Sequence, residues 1–214
     1  PAWRRPLAVG LGLAVFQQIT GINAIIYYSD RIFEAAGFST PLAQAQATTW
    51  AIGGVNVLAT LIAIAFIDRL GRRPLLLAGL AGMGVSLAVV GAAFFAMGKA
   101  PAATGPSAAG LVTLVALVVF IVSFAFSLGP VVWTVINEIF PGRVRGRAVA
   151  VATAANWGAA FVVSEFFLTL VDAIGEAGTF WTFAFFCAAG GAWVWKRVPE
   201  TNGRSLEQIE ALWR

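Results

Sequence analysis

The sequence lacks several residue types on which common functional sites depend. Its 214 residues include no histidine and a single cysteine, Cys187. Histidine proton relays and histidine-ligated metal sites are therefore excluded, and an internal disulfide cannot form. Charged residues make up only 11% of the chain, against about 25% in a typical soluble domain. Because 59% of the residues are hydrophobic, this composition indicates a polytopic membrane protein. The chain begins at Pro1 without a signal peptide, so we expect a fragment.

Long apolar segments recur along the whole chain. An open sheet cannot span hydrocarbon, and the strict alternation of a barrel strand is missing, so these segments are predicted to be helices. We expect an all-α fold, a six-helix bundle made of two inverted three-helix repeats. The transmembrane domain covers residues 1–214, with a cytoplasmic tail at 198–214. The predicted spans are 7–29, 44–67, 74–97, 110–139, 148–171 and 179–197.

Basic residues are distributed unevenly between the two sides of such a bundle. With six crossings, 12 of the 14 lysines and arginines fall on the side of the termini, and only Arg31 and Lys99 fall on the other. The positive-inside rule then places both termini in the cytoplasm. The net charge of +4 and pI of about 10.0 therefore reflect orientation in the membrane, and we expect no nucleic-acid partner.

The first apolar segment carries polar side chains at membrane depth. Gln17, Gln18, Thr20 and Asn23 would each be costly if they faced lipid without a partner. Amides donate and accept hydrogen bonds and therefore match sugar hydroxyls, so the pattern favours a cavity for a neutral, hydroxyl-rich ligand. The alternative is that the amides only join neighbouring helices. On a regular helix, Thr20 and Asn23 share a face with Tyr27, whereas Gln17 and Gln18 point elsewhere.

Glycine and proline interrupt two segments at corresponding places. Gly21 lies in the first segment and Gly129-Pro130 in the fourth, and these are equivalent positions in two triplets of helices. Paired interruptions of this kind indicate a transport site in inverted-repeat carriers. Ordinary close packing at glycine is the alternative for Gly21.

Two short basic loops lie on the predicted cytoplasmic side, at 68–73 and 138–147. Each contains one acid, Asp68 or Glu138, among several arginines. The acids are positioned to form ion pairs with these arginines at helix ends. We expect the loops to act also as topology determinants that bind anionic lipid headgroups, with the ion-pair role favoured.

The order and spacing of six motifs resemble those of sugar porters of the major facilitator superfamily. The chain resembles the C-terminal half of such a porter. The motifs are Gln17 to Asn23, Asp68 to Arg73, Gly129 to Trp133, Glu138 to Arg147, Asn156-Trp157 and Pro199 to Ser205. The resemblance implies a twelve-helix carrier, with an N-terminal six-helix half as the partner and the sugar site between the halves.

The resemblance also assigns roles to individual residues. The substrate-binding positions are Gln17, Gln18, Asn23, Asn56, Trp133, Asn156 and Trp157. The gating positions are Tyr27, Tyr28, Gly129 and Pro130. The cytoplasmic ion-pair network comprises Asp68, Arg72, Arg73, Glu138, Arg143, Arg145, Arg147 and Glu200. No catalytic residue, cofactor or metal site is expected. One departure is the neutral stretch at 124–128, where some relatives carry an acidic residue.

The predicted function is secondary transport of a monosaccharide by alternating access in the cell membrane, as a uniporter or proton symporter. A non-transporting sugar sensor and a polyol carrier, for example for inositol, are the alternatives. An enzyme is disfavoured because the candidate cavity residues are amides and aromatics. Glu165 is an acid inside an apolar run, for which a structural role is favoured over a functional one.

Overall fold

The fold consists of helices joined by short connections. The computed structural model describes residues 4–38, 40–98, 107–211 and 213, without the side chains of Phe66, Asp68, Leu206 and Glu210. No strand occurs in these ranges, so the all-α prediction is confirmed. The helices are α1 Arg4–Ile19, α2 Ile22–Tyr27, α3 Ser29–Ala35, α4 Pro41–Ala47, a π-helix Thr48–Gly54, α5 Val55–Leu70, α6 Arg72–Met97, α7 Ala108–Phe126, α8 Leu128–Ile139, α9 Gly142–Arg197 and α10 Leu206–Ala211.

Five helical stretches of the described chain are long and apolar enough to cross a membrane. They are Arg4–Tyr27, Pro41–Ala65, Arg72–Met97, Ala108–Ile139 and Gly142–Arg197. The last has 56 residues, about 84 Å at 1.5 Å per residue, which is far more than the roughly 30 Å of a hydrocarbon core.

A reversal at Gly175 divides α9 into two spans. Gly175 has φ 72° and ψ 170°, values that lie outside the helical region. The rings of Phe167 and Phe183 stack with centroids 6.3 Å apart, whereas on an unbroken helix they would lie about 24 Å apart. The chain therefore folds back at Gly175, which lies between the predicted fifth and sixth spans.

The second half of α9 packs closely against α1 and α6 because small residues lie at the contacts. A Cβ added to Gly84 of α6 would lie 3.3 Å from Cβ of Cys187, and one on Gly190 would lie 3.0 Å from the ring of Phe16. The bundle centre is filled with apolar side chains such as Leu13 and Phe120. The outer surface is also apolar: Val57, Leu58, Leu61, Phe161 and Phe185 are all more than half exposed. An apolar exterior around an apolar core is expected of a bundle surrounded by lipid.

Two helices are broken near the middle of the bundle. Between α1 and α2, Gly21 adopts a left-handed conformation with φ 93°, which residues other than glycine rarely adopt. Between α7 and α8 the break lies at Ser127, with φ −130° and ψ −88°. Pro130 therefore sits in the first turn of α8, where its missing N–H is not required.

Candidate functional site

Four amide side chains form a hydrogen-bonded cluster beside these two breaks. Nε2 of Gln17 donates to the carbonyl of Leu128 at 2.7 Å. Nδ2 of Asn156 donates to Oε1 of Gln17 at 2.7 Å, and Nε2 of Gln18 donates to Oδ1 of Asn156 at 3.1 Å. Nδ2 of Asn23 donates to Oε1 of Gln18 at 2.9 Å. We call Gln17, Gln18, Asn23 and Asn156 the amide cluster; it joins α1, α2, α8 and α9.

The left-handed turn at Gly21 decides which side chains meet. It redirects the chain, so that Asn23 reaches back to Gln18. The expectation that Thr20, Asn23 and Tyr27 share one face is therefore wrong. Thr20 is fully buried with its hydroxyl on the carbonyl of Gln17, and the side chain of Tyr27 is 58% exposed. The regular-helix assumption failed because α1 ends at Ile19.

One edge of the amide cluster has unused hydrogen-bonding groups. Gln17, Gln18 and Asn156 are all buried, and Asn156 uses both N–H groups, on Oε1 of Gln17 and on the carbonyl of Ala14 at 2.9 Å. Within the described residues, Gln18 uses one N–H and the oxygen of Asn23 accepts nothing. Asn23 is only half-buried. The Gln18–Asn23 edge therefore offers a free donor and a free acceptor, the pair that a hydroxyl group requires.

The other expected substrate contacts stand outside the amide cluster. No hydrogen bond in the described part of the chain joins it to Asn56, whose backbone carbonyl accepts the hydroxyl of Thr60 at 2.7 Å. Trp133 is half-buried on α8. Trp157 follows Asn156 on α9 but is 61% exposed. None of these three residues forms a hydrogen bond to the amide cluster within the described residues.

The two tyrosines of the expected gate differ in their surroundings. The hydroxyl of Tyr28 donates to the carbonyl of Ser164 at 3.1 Å, and its ring stacks on Phe167 at 4.9 Å. These contacts attach the end of α2 to α9, whereas Tyr27 points outward. The sequence analysis did not single out Ser164 or Phe167, since a backbone carbonyl and one phenylalanine among 17 carry no distinguishing pattern.

An ion pair lies at the end of the bundle that carries most of the basic residues. Arg72 and Glu138 are linked at 2.9 Å between Nη2 and Oε1, with Nε of Arg72 3.2 Å from the same oxygen. The other carboxylate oxygen accepts the hydroxyl of Thr201 at 2.6 Å, and Nη1 of Arg72 donates to Asn202 at 3.0 Å. The start of α6, the end of α8 and the tail are therefore joined through these two side chains.

Glu200 binds backbone N–H groups at the N-terminus of α6. Its oxygens accept the backbone N–H groups of Arg72 and Arg73, both at 3.0 Å, and those of Thr201 and Asn202. Burial raises the pKa of the Glu200 carboxyl, but the four N–H donors outweigh it, and the pKa lies below its ordinary value. A carboxylate at a helix N-terminus is stabilised by the helix dipole.

The remaining members of the expected network are arranged differently. Arg73 donates to the carbonyl of Trp195 at 2.6 Å and lies over its ring. Nε of Arg145 donates to the carbonyl of Phe140 at 3.1 Å, while Arg143 and Arg147 are exposed. The side chain of Asp68 lies outside the described residues. Within those residues, no group of three or more acidic or cysteine side chains is placed to hold a metal ion.

The apolar bundle with a buried amide cluster at its broken helices defines a helical membrane protein with a polar centre.

The chain matches the profile of the family described as "Sugar (and other) transporter" over residues 1–213. It is 41% and 42% identical to facilitated trehalose transporters Tret1 of Aedes aegypti and Anopheles gambiae, covering 96% of this chain and 25% of each relative. Two structures of XylE are similar to this chain. One, described as a proton:xylose symporter, matches with a TM-score of 0.83 and 36% identity, over 97% of this chain and 42% of that chain. The other, an inward-open form from E. coli, matches with a TM-score of 0.81 and 33% identity, over 98% of this chain and 42% of that chain.

The chain belongs to the sugar porter family of the major facilitator superfamily. It spans less than half the length of each of these relatives. The family profile and the named relatives are transporters and not enzymes.

Proposed function

We propose that this chain forms the C-terminal half of a secondary transporter that carries a sugar across the cell membrane by alternating access. The observation that carries the proposal is the amide cluster. It is neutral, it lies at two broken helices, and its Gln18–Asn23 edge presents a donor and an acceptor. Neutral amides suit uncharged hydroxyl-rich ligands, and helix breaks near the centre of the bilayer are where carriers bind substrate.

The substrate we propose is a monosaccharide, either a hexose or a pentose. The amide cluster contributes one short polar edge, which matches the hydroxyls of a single ring. The named relatives differ here, since XylE is described as a xylose symporter and the Tret1 proteins as carriers of trehalose, a disaccharide. Uptake of labelled glucose, xylose and trehalose by the full-length carrier, each in competition with the other two unlabelled sugars, distinguishes these substrates. Uptake of labelled trehalose without uptake of labelled glucose or xylose would overturn the monosaccharide assignment.

The transport mechanism requires an opposing N-terminal six-helix bundle. In alternating access, two bundles rock against each other around a shared site near the midplane. This chain supplies one wall of that site, and its Arg72–Glu138 pair, with Thr201, joins three segments at the basic end. By the distribution of charge, that end faces the cytoplasm. There the pair would hold the cytoplasmic side closed in one of the two states. Reconstituted alone, the chain should give no stereospecific uptake.

The decisive test is sugar uptake by the Gln18→Ala form of the full-length carrier in liposomes. Loss of one neutral hydrogen bond, about 0.5–1.5 kcal/mol, should weaken substrate affinity by roughly two- to twelvefold. Gln46→Ala is the matched control, because Gln46 is an exposed glutamine on α4. Unchanged affinity in Gln18→Ala would remove the site assignment. Sugar binding without counterflow in the unmodified carrier would instead identify a sensor.

A further inference from the structure

A groove at the basic end of the bundle has no part in the proposed sugar pathway. It lies between the start of α1 and the end of α9 and encloses about 530 Å³. Its walls are formed by Arg4, Arg5, Ala8, Val9, Trp193, Lys196, Arg197 and Trp213. We propose that this groove binds the headgroup of an anionic phospholipid.

The charge of the groove favours a phosphate group. Arg4, Arg5, Lys196 and Arg197 are all exposed, and no acidic residue lies among the described lining. None of the four forms a salt bridge with another described residue. Glu200 instead accepts backbone N–H groups at the start of α6, and Glu138 pairs with Arg72 and accepts the hydroxyl of Thr201. Four uncompensated cations in one groove attract an anionic lipid surface.

Two tryptophans, Trp193 and Trp213, line the groove. Tryptophan is enriched where the bilayer meets water, because its amphipathic ring suits the headgroup region. Trp193 forms a fixed wall, because its ring packs on Phe16 at 5.3 Å.

The depth of the groove indicates a lipid rather than a soluble phosphate. Arg4 and Arg5 precede the apolar part of α1, and Lys196 and Arg197 follow the apolar part of α9. Both pairs therefore lie where the bilayer meets water, and tryptophan and basic residues are enriched at that depth. Ala8 and Val9 continue the lining toward the hydrocarbon, where the acyl chains of a bound lipid would lie.

The experiment measures phosphatidylglycerol binding to the detergent-solubilised full-length carrier by native mass spectrometry, with phosphatidylcholine as the neutral lipid. The test variant carries Arg4→Gln, Arg5→Gln and Lys196→Gln. The matched control is Arg204→Gln, at the same end of the bundle but outside the groove, and it is compared with Lys196→Gln alone. We expect the affinity for phosphatidylglycerol to fall by about fivefold per charge in the test variant and by less than about twofold in the control.

Equal losses in Lys196→Gln and Arg204→Gln, or no preference for phosphatidylglycerol, would overturn the proposal. Displacement of the lipid by millimolar glycerol phosphate or inorganic phosphate would reassign the groove to a soluble phosphate. These readouts do not depend on transport, so the proposal stands or fails separately from the sugar assignment.

Discussion

Replacing Asn156 by alanine removes the side chain that ties α1 to α9 within the amide cluster. Asn156 donates to the carbonyl of Ala14 at 2.9 Å and to Oε1 of Gln17 at 2.7 Å, and it accepts from Gln18 at 3.1 Å. All three bonds are buried, and the Asn156 side chain is 4% exposed. The substitution therefore strands a glutamine oxygen and a glutamine N–H inside the bundle.

The expected cost follows from these three bonds. Side-chain hydrogen bonds between membrane helices average about 0.6 kcal/mol, and those in soluble proteins are worth about 0.5–1.5 kcal/mol. Loss of the three bonds should therefore lower the free energy of unfolding by roughly 2–4 kcal/mol. The stranded groups belong to Gln17 and Gln18; the carbonyl of Ala14 keeps its own helical partner, since it lies within α1.

Reversible unfolding of the full-length carrier in mixed micelles measures this free energy. The control is Asn137→Ala, because Asn137 is exposed and bonds only to the carbonyl of Trp133 on its own helix at 2.8 Å. It should cost less than about 0.5 kcal/mol. If the two variants are equally stable, the cluster contributes nothing to helix association. A double-mutant cycle with Gln18→Ala should show coupling of about 0.5 kcal/mol or more.

Three further substitutions test separate parts of the structure. Glu200→Gln should lower the unfolding temperature near neutral pH, because the pKa of Glu200 is lowered in the folded state. The difference in stability between the two proteins should be fully present above the ordinary pKa of about 4.3 and should vanish as the pH falls through the folded-state pKa. Glu138→Gln removes the ion pair with Arg72 and should shift the carrier toward the state open to the cytoplasm. Cysteine accessibility from each side of the membrane measures this shift, and an unshifted pattern would leave Glu138 a topological role only. Gly21→Ala should destabilise the fold by at least about 1–2 kcal/mol in a thermal melt, because φ is 93° and the new Cβ would lie 2.8 Å from the ring of Phe183. Gly158→Ala is the control and should not destabilise the fold, because the space around Gly158 is open.

Local features of the sequence were enough to predict an all-α fold and an interruption in two of its spans. Spans free of charge leave no alternative to helix in a bilayer, because each backbone group must be satisfied within its own segment. Gly21 was predicted as an interruption and adopts φ 93°. At Gly129-Pro130 the break was expected near the proline but lies at Ser127, since proline is compatible with the first turn of a helix and the change of direction falls before it.

Only the tertiary structure decided which polar groups became partners. Gln17, Gln18 and Asn23 were recognised as a polar group within one segment, but Asn156 reaches them from more than a hundred residues away, through packing of α9 on α1. The same holds for Glu200, an expected member of the ion-pair network, whose oxygens accept the backbone N–H groups of Arg72 and Arg73 at the start of α6. An amide or a carboxylate has several possible partners of equal chemistry, and their choice depends on distances of a few tenths of an ångström. Those distances are set by helix packing, which composition and spacing do not contain.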